Sequence, residues 1–274
     1  MDFDIELWMT LLPALAVLGL VAGFLAGLLG VGGGIVLVPG LFYIFSALGF
    51  PEAHLMHVCV GTSLAVIVPT GLSSALAHHK RGNVDTYNLK TLGIGTVIGV
   101  GAGTVLADSL SSTALQYVFA VVILLLAALM VISLRKDIIL RQSMPPQPFS
   151  SLMGAVVGVV STLVGIGGAT MNVPFMTMCK VPIHKAIGTS SALGLFISIP
   201  AVIGFVAIGW GESGVPPYSL GFVNIPAFLL IVPLSVLAAK WGAAAAHKAS
   251  VPMMRKVFAF FLVLVSLKLW SDLL

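Results

Sequence analysis

The chain alternates long apolar stretches with short polar loops. Residues 7–51, 142–179 and 213–239 contain no Asp, Glu, Lys or Arg. A helix that crosses a hydrocarbon core of about 30 Å needs roughly 20 apolar residues, so these segments can reach across a membrane. The pattern predicts an all-α polytopic membrane protein with apolar helices at about 8–29, 35–50, 54–77, 88–107, 113–134, 149–165, 169–180, 185–209, 219–239 and 253–272.

Composition excludes a soluble globular domain. Of the 274 residues, 59% are hydrophobic and 8% are charged. In soluble domains roughly a quarter of all residues are charged. The 30 glycines indicate close helix packing or deliberate helix breaks. Cys59 and Cys179 lie in apolar surroundings without the spacing of a metal or redox site, so neither a disulfide nor a metal is predicted. The sequence has no nucleotide-binding loop, and no cofactor is predicted.

The charged residues lie in loops and predict how the chain crosses the membrane. The net charge of +4 comes from short loops rather than from a continuous basic stripe, which argues against nucleic acid as a partner. Cytoplasmic loops of membrane proteins are enriched in Lys and Arg. The basic loops at 78–90, 135–141 and 240–256 are therefore placed in the cytoplasm, and the loops around Asp108 and Glu212 outside. Both termini are then extracytoplasmic.

This placement makes residues 8–50 and 149–180 hairpins, because each segment begins and ends on one side of the membrane. A glycine cluster stands at each turn, as Gly-Val-Gly-Gly-Gly at 30–34 and as Gly-Ile-Gly-Gly-Ala at 165–169. Glycine permits a tight reversal of the chain and leaves backbone amides uncovered. Each hairpin is therefore expected to turn at its glycine cluster, as a re-entrant or broken helix.

The two halves of the chain match each other in the same order. The matched segments are 30–39 with 165–174, 57–63 with 184–190 and, more weakly, 82–85 with 221–224. Each half holds a hairpin and three further spans, so an odd number of crossings inverts the second half relative to the first. The first repeat is 1–140, with hairpin 8–50 and spans 54–77, 88–107 and 113–134. The second is 141–274, with hairpin 149–180 and spans 185–209, 219–239 and 253–272.

The Gly-Thr-Ser segments of the two halves are predicted to meet near the membrane midplane. At a rise of 1.5 Å per residue, Thr62 lies on the order of 15 Å below the outer surface, and Thr189 lies at a similar depth from the inner surface. Helices that start at Ile35 and Ala169 would direct unpaired amides and the positive ends of their dipoles to the same depth. Such a pocket suits an anion.

The candidate substrate-binding residues are all neutral, which predicts modest affinity and easy release. They are Gly32, Gly33, Gly34, Thr62, Ser63, Gly167, Gly168, Asn172, Thr189, Ser190 and Ser191. The alternative interpretation is structural, because glycine in membrane helices often serves packing and Ser or Thr often bonds a preceding carbonyl. Duplication of the segments at matching depth favours the binding interpretation.

Two histidines lie near the predicted pocket. His57 and His184 precede their Gly-Thr-Ser segments by one helical turn, and histidine titrates near neutral pH. They are candidates for gating or proton coupling, and the alternative is an interfacial side chain bonded to backbone or lipid headgroups. Asp85 and Asn224 occupy equivalent loop positions and are interpreted as helix caps.

These segments resemble the TauE/SafE sulfite exporter family, also called the 4-toluene sulfonate uptake permease family. The resemblance rests on the paired glycine clusters followed by Val-Pro, the paired Gly-Thr-Ser segments and the Gly-Asn-Val-Asp loop, and it covers nearly the whole chain. It implies transport of small sulfur-containing or organic anions, and it implicates residues 30–34, 61–63, 165–168 and 188–190. Ala169 departs from the triple glycine of the first half, so equal contact of the two turns with substrate is not expected.

The predicted function is secondary transport of small sulfur-containing anions, such as sulfite, sulfonates or sulfoacetate-like compounds, by alternating access across the inner cell membrane. An inside-negative potential favours anion exit, so export is expected. The alternatives are an anion channel and a proton-coupled uptake permease for another small organic anion. An enzyme is not predicted, because no nucleophile–base pair or metal ligand set lies at depth. The expected partners are the small anionic substrate and the lipid bilayer, and a homodimer is left open.

Overall fold

A computed structural model describes residues 5–29, 33–133, 139–246 and 251–273. Within these ranges the chain forms ten α-helices, a 3-10 turn at Glu52–His54 and one short antiparallel strand pair. The helices are α1 (Ile5–Leu29), α2 (Gly34–Ala47), α3 (Leu55–Lys80), α4 (Thr86–Ser109), α5 (Ser112–Ser133), α6 (Phe149–Val164), α7 (Ala169–Met178), α8 (Ile183–Ile208), α9 (Ile225–Ala246) and α10 (Val251–Leu273), and the strands are β1 (Ser219–Leu220) and β2 (Val223–Asn224).

The lengths and exposed faces of the helices are those of a multi-pass membrane protein. In the described part of the chain, five helical segments are long and apolar enough to cross a membrane, namely Glu52–Lys80, Thr86–Ser109, Ser112–Ile132, Ile183–Ile208 and Ile225–Gly242. Many of their exposed residues are apolar, as on α4, where Ile94 and Val105 are largely exposed. The sequence prediction of an all-α membrane protein is confirmed at this level.

Each glycine cluster separates two helices, as the sequence predicted. Helix α2 begins at Gly34 and α7 begins at Ala169, within one residue of the predicted starts. Gly33 and Gly168 precede them with φ angles of 74° and 72°, in the left-handed region that glycine adopts at little cost. The glycines therefore set where the second helix of each pair starts.

The predicted span 219–239 begins later than expected. Residues 219–224 form the strand pair, with Leu220 opposite Val223, and α9 starts only at Ile225. The backbone φ angles of Tyr218 and Gly221 are 61° and 55°, which a right-handed helix cannot contain. The hydropathy pattern did not distinguish this apolar hairpin from the first turns of a helix.

The main helix contacts of the two halves correspond when α1–α5 are equated in order with α6–α10. Helix α1 packs on α9 and α6 packs on α4; α2 packs on α3 and α7 on α8; α3 packs on α9 and α8 on α4. Helices α3 and α8 pack on each other, as do α5 and α10. These contacts of the first five helices are thus matched by contacts of the last five, and α3 and α8 lie side by side at the centre.

Glycines bring two of these helix pairs into backbone contact. A Cβ on Gly95 or Gly99 of α4 would overlap the carbonyl oxygens of Ser151 and Ala155 on α6. In the matching pair, a Cβ on Gly23 of α1 would overlap the carbonyl oxygen of Ser235 on α9. Small residues allow this close approach, which is a main source of helix association in membranes.

Candidate functional site

The two glycine turns touch each other at the centre of the molecule. A Cβ on Gly34 would overlap the carbonyl oxygen of Gly165 and would lie 3.1 Å from the Cα atom of Ile166. The hydroxyl of Ser63, on α3, donates to the same Gly165 carbonyl at 2.9 Å. The start of α2, the end of α6 and the middle of α3 therefore meet at one point.

The second turn is held between α3 and α8. A Cβ on Gly194 of α8 would lie 3.0 Å from the carbonyl oxygen of Gly167, and a Cβ on Gly167 would lie 3.1 Å from Cγ2 of Ile67 on α3. Both distances are tighter than ordinary contacts of a Cβ atom, so a side chain at either glycine would require its neighbour to shift. The turn is thus clamped by the two central helices.

Both helices that follow the turns begin without a side-chain cap. The carbonyl of Gly33 accepts the amides of Val36 and Leu37, each at 3.0 Å, and Gly33 provides no capping side chain. The carbonyl of Gly168 likewise accepts the amides of Met171 and Asn172, at 3.1 and 2.9 Å. The earliest amides of α2 and α7 have no acceptor within their helix. Two positive helix ends therefore lie at the turns, as the sequence predicted.

Two polar side chains lie beside the second turn, together with Ile197 of α8. A Cβ on Gly168 would lie 3.3 Å from Nδ2 of Asn172 and 3.4 Å from Oγ of Ser161. Both side chains are buried, and these atoms have no hydrogen-bond partner among the described residues. Asn172 belongs to the predicted set, whereas Ser161 was missed. Its sequence position, one turn before Gly165 on a helix, does not differ from that of an ordinary packing serine.

The Gly-Thr-Ser segments instead bind the loops before α4 and α9. Oγ1 of Thr62 accepts the amide of Asn224 at 2.9 Å, and Oγ1 of Thr189 accepts the amide of Asp85 at 2.9 Å. A Cβ on the glycine that precedes each threonine would overlap a carbonyl oxygen of the same loop. Both threonine oxygens therefore stabilise tertiary contacts of the central helices with these loops.

The interpretation of Asp85 and Asn224 as helix caps is confirmed. Oδ1 of Asp85 accepts the amides of Tyr87 and Asn88 at the start of α4, each at 3.1 Å. Oδ1 of Asn224 accepts the amide of Ala227 at the start of α9, at 3.0 Å. These bonds satisfy amides that a helix start leaves open.

The remaining predicted residues are distributed around this centre. Oγ of Ser190 lies 3.9 Å from Sδ of Met176 on α7, and Ser191 donates to the carbonyl of Ile187 while accepting from Ser74. Gly32 lies outside the described residues. Of the predicted residues, Gly34, Ser63 and Gly167 meet at the contact between the turns, and Gly168 and Asn172 lie at its α7 side.

The two histidines occupy different environments. Nε2 of His57 lies 3.0 Å from the carbonyl oxygen of Ala107, and its ring centroid lies 5.1 Å from that of Phe222. His57 is buried, whereas His184 is exposed. The backbone bond of His57 agrees with the structural interpretation given above. Proton coupling through these residues stays a prediction.

We expect Thr62→Val to destabilise the protein more than Thr189→Val. Each change removes an acceptor and leaves a loop amide unpaired, which costs about 1–3 kcal/mol when the group is buried. Asn224 is buried and Asp85 is only half-buried, so the unpaired amide costs more at Asn224. Thermal unfolding of the purified protein measures the difference.

Thr70→Val is the matched control on α3, because Thr70 donates only to carbonyls of its own helix. A melting temperature of Thr62→Val equal to that of Thr70→Val would contradict the docking role of Thr62.

The chain is similar along most of its length to known membrane proteins. The family model for the sulfite exporter TauE/SafE matches residues 15–269. A probable membrane transporter protein of Haemophilus influenzae is 38% identical over 253 residues, covering 92% of this chain and 95% of that protein. A probable membrane transporter protein of Methanocaldococcus jannaschii is 30% identical, covering 86% of each chain. No solved structure matches significantly. The chain is therefore a membrane transporter that belongs to the sulfite exporter TauE/SafE family.

Proposed function

We propose that the protein is a secondary transporter of small sulfur-containing anions, of the sulfite, sulfonate or sulfoacetate type, and that the substrate binds at the glycine turns. The observation that carries this proposal is the contact of the two turns between α3 and α8, where α2 and α7 begin without side-chain caps. Helix starts of this kind bind anions through backbone amides. Because α2, α7 and the central helices contribute no Lys or Arg at this point, the anion is held by neutral donors and is released readily.

Export across the cytoplasmic membrane follows from the charge of the substrate. An inside-negative potential favours the exit of an anion by about 2.3 kcal/mol per charge for every 100 mV. Uptake against this potential requires a coupled proton or sodium ion. We therefore propose outward transport that is driven by the membrane potential. The alternative is proton-coupled uptake, and a flux assay with an imposed pH gradient distinguishes the two.

Alternating access is proposed to use two inverted repeats, the five helices α1–α5 and the five helices α6–α10. Two observations support this. The helix contacts of the two halves correspond, and Thr62 and Thr189 each bond to a loop of the other half. In transporters built from such repeats, one repeat or bundle rocks against the other around a fixed midplane site. We propose that the contact between the glycine turns is this site.

Flux through proteoliposomes tests the function. Vesicles loaded with sulfite, sulfoacetate or a carboxylate are diluted into anion-free buffer under a clamped potential, and efflux is followed. A carrier gives saturating rates and counterflow, whereas a channel gives unsaturating conductance. If the efflux rate of every sulfur anion equals its rate from protein-free vesicles, the proposal is overturned.

The proposed topology predicts which introduced cysteines react with a membrane-impermeant maleimide. Ser213 and Arg81 are exposed in loops, while native Cys59 and Cys179 are buried, so the background labelling is low. We expect Ser213→Cys to label in intact cells and Arg81→Cys to label only after permeabilisation.

A reporter fused after Leu274 is expected to register an extracytoplasmic C-terminus. A cytoplasmic signal there, or labelling of Arg81→Cys in intact cells, would contradict the inverted arrangement.

A further inference from the structure

Several buried polar side chains of α6, α7 and α8 lack partners within the described residues. Oγ of Ser161, Oγ1 of Thr170, Oγ of Ser198 and both amide atoms of Asn172 have no hydrogen-bond partner among the described residues, and each of these residues is at most 4% exposed. Leaving a buried polar group unpaired costs about 1–3 kcal/mol. Polar groups in protein interiors are nearly always paired. Two of these residues, Ser161 and Asn172, lie at the second glycine turn, and their unpaired donors, Oγ and Nδ2, point to a ligand that accepts from both.

Ser161 differs from the neighbouring threonines of α6 and α4. Thr162 donates to the carbonyl of Gly158 at 2.8 Å, and Thr96 and Thr104 also donate to carbonyls four residues earlier. This is the ordinary bond of Ser or Thr inside a helix. Oγ of Ser161 makes no such bond within the described structure and lies instead beside the space over Gly168.

The side chain of Asn172 borders the same space. Its Nδ2 atom and Oγ of Ser161 both lie within 3.4 Å of the point where a Cβ on Gly168 would stand. The first amides of α7 belong to the same turn, because Gly168 is the residue immediately before the helix. A Cβ at 168 would also overlap Cδ1 of Ile197 on α8. The side chain of Ile197 therefore covers this space, and in the proposal below it turns aside when an anion enters.

The first glycine turn has apolar residues at the corresponding positions. When the match of 30–39 with 165–174 is continued without a gap, Ala26 corresponds to Ser161 and Leu37 corresponds to Asn172. The structure agrees with this register, since a Cβ on Gly33 would lie 3.4 Å from Cβ of Ala26, just as one on Gly168 lies 3.4 Å from Oγ of Ser161. Both turns thus have a left-handed glycine before an uncapped helix, but only the second turn has polar side chains at these two positions.

We propose that the anionic group of the substrate binds at the second glycine turn alone, held by Oγ of Ser161, Nδ2 of Asn172 and the first amides of α7. The first turn contributes an apolar surface on the opposite side. Several neutral donors that converge on one point suit an oxyanion with more than one acceptor oxygen, such as a sulfite or sulfonate group. This inference rests on the proposed function and names the residues that recognise the substrate.

Two substitutions replace the polar side chains of the second turn by the apolar ones found at the matching positions of the first turn. Ser161→Ala and Asn172→Leu are each expected to raise the Kd of the purified protein for sulfite and sulfoacetate by at least about tenfold, because each removes a donor to the anion. The thermal stability of the ligand-free variants is expected to be equal to or higher than that of the unsubstituted protein, since a buried unpaired polar atom has been removed. A merely structural role would instead lower the stability and leave the Kd unchanged.

Thr162→Val is the matched control, because this neighbouring hydroxyl bonds only to its own helix. Its Kd is expected to stay within about twofold of the unsubstituted value. A Ser161→Ala protein that folds and binds both anions with unchanged Kd would overturn the one-sided site while leaving the proposed function intact. If the unsubstituted protein binds neither anion, the proposed function fails together with this inference.

Discussion

Replacing Gly168 with leucine is expected to reduce anion efflux by at least about tenfold, because the new side chain would displace Ile197 and cover the first amides of α7. The backbone φ of Gly168 is 72°, and a Cβ there would overlap Cδ1 of Ile197 and come within 3.4 Å of Asn172 and Ser161. Gly33→Leu is expected to block transport as well, since Gly33 has the same conformation and its Cβ would lie 3.1 Å from the carbonyl oxygen of Ala22. Efflux from proteoliposomes of equal protein content is the measurement.

Gly101→Leu is the matched control for this result. Gly101 is exposed on α4, and a Cβ there would meet no atom within 4 Å. Its efflux is expected to equal that of the unsubstituted protein. Normal rates in both Gly33→Leu and Gly168→Leu would remove the turns from the transport site.

A second variant separates blocked binding from misfolding. In Gly168→Ala the new methyl group overlaps mainly Cδ1 of Ile197, and Ile197→Val deletes that carbon atom. The double variant Gly168→Ala/Ile197→Val is therefore expected to fold, with a residual cost of roughly 1 kcal/mol for the left-handed backbone. If transport is nevertheless lost, the cause is the narrowed approach to the amides of α7 rather than the packing of α8.

The glycine turns could be predicted because their signal is local. A glycine cluster between apolar stretches breaks a helix wherever it stands, and the left-handed φ of Gly33 and Gly168 places the start of the next helix within one residue. The capping roles of Asp85 and Asn224 are local for the same reason, since each side chain bonds amides two or three residues ahead. Such features do not depend on which other helices lie nearby.

The roles of the Gly-Thr-Ser segments could not be predicted because they depend on distant contacts. Thr62 bonds to a loop 162 residues away, and Thr189 bonds to one 104 residues away. Nothing in the periodicity of α3 or α8 identifies these partners. The difference between Ser161 and Thr162 has the same origin, because only the fold determines which hydroxyl lies over Gly168 and which one bonds to its own helix.

A large loss of stability is expected when a glycine at a helix contact is replaced. Gly95→Ala is expected to lower the melting temperature steeply. A Cβ on Gly95 would overlap the carbonyl oxygen and carbonyl carbon of Ser151. Backbone atoms cannot rotate away as a side chain can, so α4 and α6 must move apart along their whole contact. Overpacking of a core costs about 1–3 kcal/mol when side chains can adjust, and the cost here is expected to exceed that range. Thermal unfolding in detergent measures it.

Gly23→Ala provides the parallel test in the other half, because its Cβ would overlap Ser235 on α9 as that of Gly95 overlaps Ser151. Both variants are expected to lose stability, whereas Gly101→Ala on the open face of α4 is expected to gain up to about 1 kcal/mol from the higher helix propensity of alanine. This opposite sign within one helix distinguishes packing from propensity. Equal melting temperatures for Gly95→Ala and Gly101→Ala would mean that α4 and α6 do not touch through their backbones.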